Sequence, residues 1–189
     1  MPVGASVVGL SSVIGMTLQV SGLERLLSVS TPVRAGGTFL LVLLLGSLLR
    51  WRYELFVDEA RSTSMSHPLA ATGYGIVTHL VIAFAAVYLT VKFAQIQVAG
   101  QTFAIVGLVV GIGLVGVAGA LGFTVVGEAL VDLGGQPTQW AGLVVGSVIA
   151  GGVALADPTV AAVGWFLVVS AGVGGAIHNW IHASVGPDI

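Results

Sequence analysis

The sequence predicts an all-α, polytopic transmembrane helical bundle, with five spans as the central count and four to six as the range. Three observations lead there. Of the 189 residues, 56% are hydrophobic and only 7% charged, far from the roughly 25% charged residues of a soluble domain, so the chain could not cover its own surface in water. The mean hydropathy, +1.05, is spread along most of the length rather than gathered in one anchor. Apolar stretches approaching the ~20 residues that cross a ~30 Å hydrocarbon core recur between the charges.

Residues 1–35 form the least defined segment. Residues 3–20 are apolar and uncharged but diluted by Gly, Ser and Thr, and no Lys or Arg precedes them as in a secretion signal. They read either as a weak extra span or as a helix lying in the interface. The first clear span, 36–51, is intense but short, because fifteen residues separate Arg34 from Arg50. Its arginines must snorkel or the bilayer must thin.

A polar stretch at 52–67 (RYELFVDEARSTSMSH) reads as a connecting loop. Leu55, Phe56 and Ala60 can press on the membrane, and Asp58 and Arg61 can pair. The second span, 68–91, starts at Pro68, where a missing N–H costs no helical hydrogen bond, with Ser66 or His67 as cap. Thirty-five uncharged residues run from Phe93 to Gly127, too many for one straight crossing. Residues 95–101 read as a polar lead-in and 102–131 as one long helix, either continuous or broken.

The fourth span, 140–154, follows a GGQP turn with Thr138 as cap. Ala156-Asp157-Pro158-Thr159 is the sharpest boundary: Asp caps a helix and suits its N-terminal dipole, and Pro fits the next position. The fifth span, 158–177, therefore makes an antiparallel hairpin with the fourth. A short tail, 181–189, follows. Trp51, Trp140, Trp180 and Tyr88 fall at predicted ends, the place of amphipathic rings among headgroups, whereas Trp165 reads as a packing residue. Basic residues divide evenly, Arg25, Arg34 and Lys92 against Arg50, Arg52 and Arg61. Their clustering after the first span favours that loop inside and the N-terminus outside.

Small residues should mark helix contacts, because helices solvated by lipid gain little from hydrophobic association. Gly107 and Gly111 make one GxxxG; Gly142 and Gly146 make a second that Ala150 extends; Ala118 with Gly122 and Ala171 with Gly175 continue the theme. Such faces serve either packing within the chain or contacts between copies.

Few residues could carry chemistry. His79, inside the second span, is either a core imidazole bonded to a carbonyl, Thr78 or Tyr74, or part of a proton or ion path. Glu128 and Asp132, one turn apart, share a helix face; they lie in water at headgroup level, or one is protonated, or a cation sits between them. His178 and His182 have metal-ligand spacing but no completing ligand set, and read as an amphipathic helix end. Arg52, Asp58 and Arg61 make the polar loop the best docking candidate.

The absences are informative. No cysteine is present, which removes disulfides and thiolate metal sites. A net charge of −2 without a basic run points away from nucleic acid. No phosphate loop, HExxH or GxSxG elbow occurs, so catalysis, cofactors and bound metals are not expected. The expected partners are the lipid bilayer and other membrane or envelope proteins or copies of the chain.

With the spans placed, the order of features resembles the multi-pass membrane region of haloarchaeal bactofilin-like, polymer-forming proteins. The residues that carry this are LLLGSLLRWRYELFV, HPLAATGYGIV and the closing GSVIAGGVALADPTVAAVGWFLVVSAGVGGA, covering about 36–176. The β-helical repeat that defines the polymer-forming domain is absent. The resemblance therefore implies a membrane anchor or scaffold and supplies no catalytic residues, and the filament formation of the polymer-forming domain is not carried over. The alternative from the residues themselves is a small transporter or channel using His79 and Glu128.

Overall fold

Proline and glycine set where the chain changes direction. In the computed structural model, which describes residues 30–95, 100–135 and 138–184, the elements are α1 (Thr31–Arg52), α2 (Glu54–Ser66), α3 (Pro68–Gln95), α4 (Gly100–Leu133), α5 (Gln139–Leu155) and α6 (Pro158–Ser184). Pro32 stands in the first turn of α1, and Pro68 and Pro158 open α3 and α6. The Asp157 carboxylate accepts from the Thr159 N–H at 2.9 Å, the expected cap. After α4 the chain turns through Gly135, whose φ of +73° favours glycine.

Among the described residues four helices are long and apolar enough to cross a membrane: Thr31–Arg52, Pro68–Ala86, Val109–Leu133 and Pro158–His182. The apolar Trp140–Leu155 is shorter. Leu44, Leu80, Phe84, Ile112, Leu114 and Val148 face outward, the surface a bilayer covers.

Several boundaries differ from the sequence expectation. The first span begins at Thr31 rather than 36 and has 22 residues, about 33 Å, so this helix by itself requires no thinning of the bilayer. The 102–131 helix is one unbroken α4 of 34 residues. The last helix continues past 177 to Ser184, taking in the first residues expected of the tail. The region 52–67 is not a loop. It is α2, whose Val57, Ala60 and Thr63 recur every third residue and are buried while Glu59 and Ser62 face out, a helical period that a count of charges hides. The 3–20 segment lies outside the described residues.

Contacts between facing residues give the layout. Gly46 lies by Thr124 and Arg50 by Glu128, and Gly119 lies by Trp165 and Gly122 by Val169, so α1, α4 and α6 run one way. Gly46 lies by Leu143 but Gly151 by Ala35, and Gly75 by Ser170 but Gly174 by Ala71, so α5 and α3 run the other way. Val42, Phe123, Ala150 and Val169 form a core where α1, α4, α5 and α6 meet. A second core, Val57, Ala60, Leu121 and Val125, beds α2 across one end of the bundle.

Candidate functional site

The densest polar arrangement is an ionic network beneath α2. Arg50 ends α1, Glu128 and Asp132 stand one turn apart on α4, and Asp58 and Arg61 lie on the bundle side of α2. The Arg50 guanidinium donates to the Asp58 carboxylate at 2.6 Å and lies 3.6 Å from Glu128 and 3.8 Å from Glu54. Arg61 bridges Asp132 at 3.1 Å and Glu128 at 4.0 Å. The cation between the two α4 carboxylates is thus a guanidinium of the same chain.

Burial is extreme at the centre, with Arg50 4% and Glu128 2% exposed. Glu128 fits there because the facing residue on α5 is Gly142, where an added Cβ would strike the Glu128 side chain. Among the described residues neither Glu128 oxygen has a hydrogen-bond partner, nor do Arg50 Nε and Nη2 or the Thr124 hydroxyl one turn above. Arg50 and Glu128 face each other as buried opposite charges, and breaking such a pair is expensive.

Glu128 is buried within the bundle rather than lying in water, Asp58 pairs with Arg50 rather than Arg61, and Arg50 is buried rather than snorkelling. Each change has one cause: α2 folds back over the end of α1. Of the three docking candidates only Arg52 stays outside the network, with its guanidinium 5.5 Å from the centre of the Tyr53 ring.

His79 sits between α3 and α6. Its Nδ1 is 2.8 Å from the Gly75 carbonyl, which can only accept, so Nδ1 carries a proton. The same atom is 3.3 Å from Ser170 Oγ, and Trp165 and Phe166 stand edge-on to the ring. This is a packed environment on different helices from Glu128. At the other end of α6, His178 stacks on His182 at 4.2 Å and on His67 at 5.6 Å, with Tyr74 edge-on to the α6 pair. Among the described residues no group of three or more His, Asp or Glu is arranged to hold a metal ion.

The small residues divide. Gly146 meets the Phe123 carbonyl, Gly175 meets α2 at Ala60 and Ser64, and Ala150 is in the core. Gly107 and Gly111, by contrast, have no neighbour within 4 Å of an added Cβ. They line a groove of about 660 Å³ between α1 and α4, bounded also by Arg34, Thr38 and Trp165. A smaller cavity of about 240 Å³ adjoins it through those same three residues. Arg34 Nε and Nη2 donate to the Ala154 and Ala156 carbonyls, each at 2.8 Å. Neither cavity is lined by His79 or Glu128.

Sequence reasoning missed Arg50 and Arg34 as site residues. For Arg50 a signal existed: the carboxylates Glu54 and Asp58 follow within eight residues, close enough in sequence to reach it once the chain bends at Tyr53. For Arg34 none did, since its acceptors lie 120 residues away. Comparison with known protein families, characterised proteins and solved structures found no significant match.

Proposed function

We propose that the chain is a non-enzymatic membrane scaffold or assembly protein of five spans, acting through helix packing and contacts with other membrane proteins or its own copies. The observation that carries this reading is the use of its interior charges. Arg50, Arg61, Glu128, Asp132 and Asp58 bind one another across α1, α2 and α4, which spends them on rigidity and leaves none on a concave polar surface. A transport path through His79 and Glu128 draws no support from the geometry, because the two lie in separate helix interfaces and line neither cavity. Purification in mild detergent, with identification of what co-purifies, tests the reading. Recovery of stoichiometric membrane partners or a defined oligomer is expected; a lone monomer overturns it.

Support for α5 as the fifth span comes from its ends. Gly142 lies at the Glu128 level, beside Arg50, and Ala154 at the level of Arg34, so α5 runs alongside α1 over the stretch between its two arginines. Its 17 residues span about 25 Å, enough for a slightly thinned bilayer. Because the chain contains no cysteine, single Cys substitutions report sidedness directly. Cys at Ser62, Gly135 and Trp180 should label from one side, and Cys at Asp157 from the other. Labelling of Asp157→Cys and Gly135→Cys from the same side would remove the fifth span.

A further inference from the structure

We propose that the groove between α1 and α4 seats the acyl chain of an anionic membrane lipid, with its headgroup held at Arg34. The inference goes beyond the scaffold reading and stands without it. The groove's shape comes from missing side chains: Gly37, Gly107 and Gly111 leave open space on facing helices, and Gly119 and Trp165 floor it, with Trp165 Nε1 3.1 Å from where a Gly119 Cβ would lie. Its volume, about 660 Å³, falls within the roughly 300–1,000 Å³ of clefts that hold small ligands. The neighbouring Ile112 and Val115 face outward, so the groove opens where a bilayer presents hydrocarbon, and a flexible apolar chain is the matching occupant.

Charge selects the headgroup. Among the described residues Arg34 is the one charged residue lining either cavity. Its guanidinium is fixed by two neutral carbonyls at the C-terminal end of α5, and no carboxylate of the described residues lies within 4.0 Å of it. Arg50 and Arg61 are both matched to carboxylates. Arg34 therefore keeps an unmatched positive charge at the rim of an apolar groove, the complement of a phosphate above an acyl chain.

The test uses the full chain with Trp51, Trp140 and Trp180 replaced by Phe, leaving Trp165 as the reporter, in nanodiscs of phosphatidylcholine. Brominated phosphatidylglycerol should reach Trp165 about fivefold more effectively than brominated phosphatidylcholine, the effect of one Arg near an anionic surface, ~1 kcal/mol. Arg34→Lys should keep most of this preference and Arg34→Gln should lose it, which separates charge from the capping of α5. Gly107→Leu with Gly111→Leu should fill the groove and protect Trp165 from both lipids. Equal quenching by the two lipids, or a preference that survives Arg34→Gln, overturns the proposal. So does a crosslink from Gly111→Cys to Val8→Cys or to a second copy's Gly111→Cys, which would assign the groove to the N-terminal segment or to a dimer.

Discussion

A leucine at Gly146 is expected to destabilise the protein by about 3 kcal/mol or more, near the upper end of what overpacking costs. The reason is the nature of the collision. At the crossing of α4 and α5, an added Cβ on Gly146 runs into the Phe123 carbonyl, one on Gly142 into Glu128, and one on Gly127 into the Gly142 and Gly146 backbones. A flexible side chain could rotate away, but here the two helices must separate, pulling Phe123 out of the central core. Gly111→Leu is the control, since nothing lies within 4 Å of its added Cβ; it should shift stability by less than about 0.5 kcal/mol. Thermal unfolding in detergent micelles measures the difference, with size-exclusion chromatography alongside. If Gly146→Leu changed oligomeric state while leaving stability intact, the glycine would be serving contacts between copies instead.

The same contrast shows what the sequence could convey. Gly107/Gly111 and Gly142/Gly146 have identical spacing, yet only the second pair meets another helix of the described residues. Spacing establishes a face that permits close approach; whether a neighbour arrives is decided by the rest of the bundle. Hydropathy made the membrane class legible because lipid imposes it residue by residue. The Asp157-Pro158 boundary was legible because capping is local. What stayed hidden is non-local. In sequence α2 reads as a loop because its charges mask a three-residue apolar period, and the burial of Arg50 and Glu128 follows from α2 lying over them. His79 finds Ser170, Trp165 and Phe166 across a helix interface, which no property of its own segment announces.

Removing Arg50 is expected to have the other large effect. Arg50→Met should cost about 3–5 kcal/mol, the usual result of stripping one partner from a buried pair, because it leaves Glu128 2% exposed with its nearest remaining cation, Arg61, at 4.0 Å. Glu128→Met should cost less, since Arg50 keeps Asp58 at 2.6 Å. The Arg50→Met, Glu128→Met double variant should regain much of the loss, because two apolar side chains of suitable length carry no desolvation penalty. Asp58→Asn should cost only about 1 kcal/mol or less, because that carboxylate is 41% exposed and water screens it. Unfolding of the four proteins in bicelles gives the coupling between Arg50 and Glu128 directly. Strict additivity would mean the two charges do not stabilise each other despite their 3.6 Å separation. Strong coupling, together with lost protection of α2 in hydrogen exchange on Arg50→Met, would establish that the network clamps α2 across the end of the bundle and that the chain's scarce charges are committed to holding its shape.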